Sequence, residues 1–259
     1  MLRNLLRKLC RGLAYHRTLR VDGFEVPLFV APDAQLKYLK PGVQSEDREL
    51  IRMACQHLHE TSVVWDIGAN LGVFSFASAL QARAGTVVAV EADVWLAVLL
   101  NQTRLLPAYA DCDIRIVPAA VADKVGVMTF LIADGGRASN ALEVAGGRTQ
   151  MGGVRMRQFV PTLTLDTLLD SQPPPDFVKI DIEGAEWMAL CGAERLLKEV
   201  RPIFYIEVGA DTAADVYARF AQADYIAVDP ATVAVVSACV PNTYFVPRER
   251  QAAFSLMSR

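Results

Sequence analysis

The sequence predicts an α/β protein: a doubly wound, mostly parallel sheet that carries an antiparallel insertion and an N-terminal extension. Three observations support this. From residue 61 onward, short apolar runs of strand length alternate with stretches of helix length, the rhythm of parallel strands joined by right-handed helical crossovers. The rhythm breaks once, over 125–165, where alternating strand patterns flank a Gly-rich loop. Two glycines, Gly68 and Gly72, directly follow the first apolar run, at the strand-to-helix turn where doubly wound sheets bind ligands. With 259 residues the chain can bury a full core, and the division expected is an extension over 1–44 and one main domain over 45–259.

Taken in order, residues 2–14 set Leu2, Leu5, Leu6, Leu9 and Leu13 at helical spacing with arginines between them. This suits an amphipathic helix lying on a membrane or docking on a partner, or else a surface helix packed on the domain or a frayed terminus. Leu19–Val21 and Phe24–Val26 flank Asp22-Gly23, a pair that takes the positive φ angles of a two-residue hairpin turn. Ser45 to Glu60 reads as a helix capped by Ser45. Strands are then expected at 62–67, 86–90, 113–117, 177–182, 203–208, 225–228 and 243–246. Helices are expected at 73–83, 94–106, 165–170, 185–197 and 212–222. Strands at 127–132 and 154–160, joined by the loop 134–153, form the insertion, whose loop is placed to cover a site.

Composition narrows the function. Apolar residues make up 53% and charged residues 21%, but no run approaches the roughly 18–20 residues of a membrane span. The net charge of −3 hides a basic N-terminus, with Arg3, Arg7, Lys8, Arg11, Arg17 and Arg20 and no acid before residue 21. Elsewhere the basic residues are scattered, which argues against a nucleic-acid partner. Five widely spaced cysteines without a Cys-x-x-Cys pair suggest neither a zinc site nor a disulfide framework and fit a reducing compartment. The N-terminus lacks a signal-peptide pattern. The expected location is the cytoplasm, with a peripheral membrane contact through residues 1–20 as the alternative to a purely soluble protein.

The site is expected at the strand ends. The first strand leads into Asp66-Ile67-Gly68-Ala69-Asn70-Leu71-Gly72. A dinucleotide fold places Gly-x-Gly-x-x-Gly there and aims backbone N–H groups at a pyrophosphate. Here a carboxylate stands where a pyrophosphate would be repelled, which favours S-adenosylmethionine, a phosphate-free sulfonium, as cofactor. Glu91, at the end of the second strand, can accept both ribose hydroxyls. Asp123, after the third strand, is expected near the adenine amino group. The cofactor set expected is Asp66, Gly68, Ala69, Asn70, Gly72, Phe74, Glu91, Ala92, Asp123 and Asp181.

Val64 to Phe74 resembles the first motif of the FkbM-type methyltransferases, and Lys179-Ile180-Asp181-Ile182-Glu183-Gly184-Ala185-Glu186 resembles their second signature. Glu207 at the next strand end and Thr164-Leu165-Asp166 before the signature also match. The resemblance covers about residues 45–210. It implies a Rossmann-like methyltransferase sheet of seven strands with the last antiparallel, S-adenosylmethionine as donor, and O-methylation of a hydroxyl on a sugar, glycan or polyketide-like natural product. Glu91-Ala92-Asp93 departs from the commoner Glu-Pro-Asn-like sequence.

Methyl transfer to oxygen is an in-line displacement that needs an aligned acceptor and a proton acceptor. Asp181 is assigned as general base, with Glu183 and Glu207 orienting the acceptor. The alternative reading makes Glu183 a helix cap and Glu186 a solvated first-turn residue. No metal is assigned, since the carboxylates lack a histidine nearby. His57 and His59 read as surface or buried non-catalytic residues. Arg137, Arg148, Arg155 and Arg157 read either as a site for a phosphate-bearing acceptor or as a solvated face. The competing readings are a protein or nucleic-acid methyltransferase, a non-catalytic S-adenosylmethionine-binding protein, and a nicotinamide dehydrogenase. Asp181-Ile182-Glu183-Gly184 lacks the Pro-Pro-aromatic loop of base-flipping amino methylases, and the glycine spacing disfavours the dehydrogenase.

Overall fold

The computed structural model describes residues 6, 8–145 and 152–257. Strands β1 (Tyr15–Val21) and β2 (Phe24–Val30) form the hairpin, with Asp22 at φ +50° and Gly23 at φ +85° in its two-residue turn. Helix α1 (Ser45–His57) follows, then β3 (Val63–Ile67), α2 (Val73–Gln81), β4 (Thr86–Val90), α3 (Val94–Arg104) and β5 (Asp113–Val117). The insertion contains β6 (Ala120–Val121), β7 (Gly126–Ala133), β8 (Ala141–Leu142) and β9 (Val154–Leu163). The parallel units resume with α4 (Leu165–Leu169), β10 (Phe177–Ile180), α5 (Glu186–Cys191), β11 (Ile203–Glu207), α6 (Ala213–Gln222) and β12 (Tyr225–Val228). They end with β13 (Val235–Val236), β14 (Asn242–Pro247) and α7 (Gln251–Met257).

The main sheet runs β13-β12-β14-β11-β10-β3-β4-β5. All seven strands expected from the sequence are in it, and β14 is antiparallel to both of its neighbours. The eighth, β13, is a two-residue edge strand too short to leave a pattern. The insertion forms its own sheet, β6-β9-β7-β8, rather than a simple strand pair.

Alternation along the strands sends residues to two cores. Val64 and Ala89 join one with the hairpin residues Leu19, Val26 and Leu28 and the α2 residues Phe74 and Phe76. Trp65, Ile67, Val88 and Val90 join the other with Leu165, Leu190 and Phe220 from α4, α5 and α6. The N-terminal hairpin packs against α1, α2 and α3 on one side of the main sheet.

Three local expectations are corrected. Gln44, not Ser45, is the cap position of α1, and it makes no side-chain cap bond. The helix expected over 185–197 stops at Cys191, and a separate π-type turn follows at Leu196–Val200. Between them Gly192 passes so close to Thr164 and Ala122 that a Cβ would lie 2.8 Å from Thr164 Cβ and 2.9 Å from the Ala122 carbonyl oxygen. The Thr164-Leu165-Asp166 segment holds both pieces: Thr164 Oγ1 accepts from Thr167 N, and the Asp166 carboxylate accepts from Arg195 N and Leu196 N. Finally, of the N-terminal leucine stripe, Leu2 and Leu5 lie outside the described residues, while Leu9 is 73% exposed. That exposure is at odds with a stripe packed on the domain. No helix among the described residues is long and apolar enough to cross a membrane.

Candidate active site

The turn after β3 is built on close approach. Gly68 has φ +81°, and a Cβ there would sit 2.0 Å from the Asp181 carbonyl oxygen, so a side chain would force β3 and β10 apart where they leave the sheet. The turn consumes its own donors. Gly68 N and Ala69 N both donate to the Val90 carbonyl, at 2.9 and 3.0 Å, and Gly72 N donates to Ala69 at 2.8 Å. Asn70 N donates to Glu91 Oε2 at 2.7 Å. With these four groups committed inside the protein, the turn is unlike the N–H cradle that holds a pyrophosphate.

A cleft open to solvent lies beside this turn. Gly68, Asn70, Glu91 and Ala92 line it together with Asp181, Glu183 and Glu207. Phe130, Arg137, Ala138, Asn140 and Leu142 of the insertion and Gln35 and Glu46 of the N-terminal region complete it. Glu91 is only 6% exposed. Its Oε1 accepts from Asp93 N at 2.8 Å, so each carboxylate oxygen has one backbone donor and keeps a lone pair for a ligand. Burial pushes the Glu91 carboxyl up to about 7 despite those two donors. Asn70, at φ +53°, holds a buried side-chain oxygen without a protein partner on the same turn. A buried carboxylate held by neutral donors and an orphaned acceptor, beside a turn with no outward phosphate cradle, fit S-adenosylmethionine.

A smaller cavity behind the turn shares Gln35, Gly68, Asn70 and Asp181 with the cleft and adds Asp66, Ala69, Phe74 and Lys179. Asp66 and Lys179 are register partners on adjacent strands. Lys179 Nζ lies 3.2 Å from Asp66 Oδ1 and 3.6 Å from Asp181 Oδ2, and Ser75 Oγ donates to Asp66 Oδ2 at 2.6 Å. Burial opposes the Lys179 charge, but Asp66 and Asp181 together outweigh it and hold its pKa above that of an ordinary lysine. The Asp66 carboxylate is thus committed to a cation and a hydroxyl of the protein. This corrects the expectation that its charge meets the ligand directly.

Asp181 is the most open member of this group, with its side chain 38% exposed. Glu183 has φ +53°, a strained setting for a residue with a Cβ. Glu186 is 1% exposed, and its Oε1 accepts from Ile182 N and Gly184 N at 3.3 and 3.0 Å. It is therefore the buried clasp of the Asp181–Gly184 turn, not a solvated residue, and the cap position of α5 is Ala185 rather than Glu183.

Other expected residues take different roles. Asp123 is exposed and lines neither cavity, because the chain turns into β6 and β9, leaving Ala119, Ala120 and Val121 on the cleft. Phe74 is 1% exposed and packs 5.8 Å from Phe177. Gly72 serves helix packing, since a Cβ would lie 2.6 Å from both Leu100 and Phe76 side-chain atoms. His57 stacks on Phe254 at 5.0 Å in the core, and burial lowers its pKa to about 4. Arg137 and Arg155 bind Asp33, and Arg157 binds Glu143, so these three do not form a phosphate site; Arg148 lies outside the described residues. No role is legible in the sequence for Lys179, whose partner Asp66 is set by strand register, for Ser75 on α2, or for Gln35 and Glu46, which carry no motif. Among the described residues no group of three or more His, Cys, Asp or Glu is placed to hold a metal ion.

The description "Methyltransferase FkbM domain" matches residues 66–227. Among solved structures, the chain is similar to the FkbM methyltransferase from Methylobacillus flagellatus KT, with 17% identity, 73% of this chain and 44% of that one covered, and a TM-score of 0.48. It is also similar to the 16S rRNA N2 G1207 methyltransferase of T. thermophilus in complex with AdoMet and guanosine, with 12% identity, 92% and 51% covered, and a TM-score of 0.51. This chain thus spans under half the length of the first and about half that of the second, and the likeness to the second is one of fold. No curated protein matches. With the domain match covering more than half of its length, the chain belongs to the FkbM family of S-adenosylmethionine-dependent methyltransferases.

Proposed function

We propose that the protein O-methylates a hydroxyl of a sugar, glycan or polyketide-like natural product. The observation that carries this reading is a single cleft lined both by Glu91 and by Asp181, Glu183 and Glu207. Glu91 would accept the ribose hydroxyls, with Ala92 beside it, and the Gly68–Asn70 turn would hold the amino-acid end, the Asn70 side-chain oxygen taking a donor. The bound donor supplies an electrophilic methyl group on sulfur. Asp181 would take the acceptor proton, and Glu183 and Glu207 would orient acceptor hydroxyls, which carboxylates bind well. Pairing of Arg137, Arg155 and Arg157 within the protein supports a neutral acceptor over a phosphate-bearing or nucleic-acid one.

Calorimetric titration with S-adenosylmethionine, S-adenosylhomocysteine and NAD tests the cofactor, followed by a screen of hydroxylated acceptors. Binding of the first two and not of NAD is expected. In an active pairing, Asp181→Asn should lower kcat by about 10²-fold or more. Binding of NAD alone, or an Asp181→Asn variant of undiminished kcat, would overturn the corresponding part of the reading.

A further inference from the structure

Beside the cleft stands a charged cluster outside both sequence signatures. Asp33, Asp93, Arg137 and Asn140 are 5, 0, 7 and 7% exposed. They come from three distant segments: the stretch after the hairpin, the turn between β4 and α3, and the 137–140 turn of the insertion. Arg137 Nε donates to Asp33 Oδ2 at 2.9 Å and its Nη1 to Asp93 Oδ2 at 2.5 Å, while the guanidinium lies 4.6 Å from the Trp95 ring centre. Asn140 Nδ2 donates to the same Asp93 oxygen at 2.8 Å, and Arg155 Nη1 donates to Asp33 at 2.9 Å. Two carboxylates meet two guanidinia, the balance that buried charges require. The main chain is drawn in too. Arg137 N donates to the Asp33 carbonyl at 3.0 Å. Gly136, at φ +121°, runs so near that a Cβ would lie 2.9 Å from the Ala34 carbonyl oxygen.

The cluster reaches Glu91 in one step, because Asp93 N donates to Glu91 Oε1 while Asp93 Oδ1 accepts from Trp95 N at 2.9 Å and starts α3. Arg137 and Asn140 also line the cleft. We propose that Arg137 is a positioning residue for the methyl donor: bridging Asp33 and Asp93, it fixes the turn that presents Glu91 and holds the insertion as a wall of the cleft. This rests on reading the cleft as the S-adenosylmethionine site. A planar guanidinium can hold two carboxylates at once, which an ammonium at that place does poorly, and a preorganised support of this kind sets ligand affinity.

The charged surroundings of Glu91 supply a readout that a merely structural role would not move. Asp93 faces it from its own turn and Asp66 from β3. Lys179 of β10 meets the Asp66 charge, and Arg137 meets that of Asp93. The experiment is calorimetric titration of the full chain with S-adenosylmethionine between pH 6 and 9, for wild type, Arg137→Lys and Asp93→Asn, with circular dichroism to verify folding. Arg137→Lys should bind about tenfold more weakly, and the pH at which binding is half developed should rise, since a less neutralised Asp93 opposes ionisation of Glu91. Asp93→Asn should also weaken binding but lower that pH. Should Arg137→Lys not fold, Asp33→Asn, which weakens the other anchor of Arg137 and leaves Asp93 charged, decides the matter: wild-type affinity there overturns the proposal. Wild-type affinity with unmoved midpoints in the folded variants overturns the proposal. Wild-type protein that does not bind S-adenosylmethionine instead overturns the proposed function, and this inference with it.

Discussion

Asp66 and Glu91 stand at the ends of neighbouring strands, both almost wholly buried, yet the protein treats them in opposite ways. Asp66 is given a full cation, Lys179, and a hydroxyl, Ser75. Glu91 is given two backbone N–H groups and a place on the cleft. A buried carboxylate with its own cation is a closed unit. One held by neutral donors alone is poised for a ligand to complete it, which is why burial raises its pKa to about 7. Carboxylates at strand ends are therefore not equivalent, and their partners distinguish scaffold from site.

The comparison is broken most severely by removing the cation. Lys179→Met would leave Asp66 buried and unpaired, and should cost about 3–5 kcal/mol in urea denaturation; a loss below about 1 kcal/mol would mean that Lys179 does not hold Asp66. Glu91→Gln should do the reverse. It should weaken S-adenosylmethionine binding by about 10- to 100-fold, the worth of charge-assisted hydroxyl contacts, while leaving stability near pH 8 unchanged or higher.

The same contrast has a pH signature. Because the Glu91 carboxyl is raised from 4.5 to about 7, its contribution to stability is complete below pH 4.5 and is lost as pH rises through about 7. Donor hydroxyls prefer the ionised form, so S-adenosylmethionine affinity should instead rise across pH 6 to 8. Both dependences should vanish in Glu91→Gln, and titration at pH 6 and 8 with parallel denaturation checks them. The smallest effect belongs to Ser75→Ala, which removes one buried hydrogen bond to Asp66 and should cost about 1–2 kcal/mol in the same denaturation, with binding unchanged.

Much of the fold was legible because its signals are local. Asp22-Gly23 specifies a hairpin turn through the φ angles it tolerates, and the apolar runs from residue 61 specify strands through their length. Gly68 and Gly72 were legible as a functional pair, but their reasons differ: one lets β10 approach and the other lets α2 pack on Leu100. The helix expected over 185–197 failed because its break at Gly192 is imposed by Thr164 and Ala122, which belong to other elements. Asp123 was misplaced because the direction of the chain after β5 is set by pairing of β6 with β9, a contact about forty residues away in sequence that no motif marks.

By itself the sequence determined the alternation of strands and helices, the hairpin, the turn glycines and the pair of signatures that mark the family, because each rests on residues within a few positions of one another. Only the tertiary structure decided which acids face a ligand. Asp66 finds Lys179 through the register of two strands 113 residues apart, and Asp93 finds Arg137 across 44 residues and a second sheet. A carboxylate's role depends on the charges and donors that surround it after burial, and those are brought by the fold from segments the chain keeps far apart.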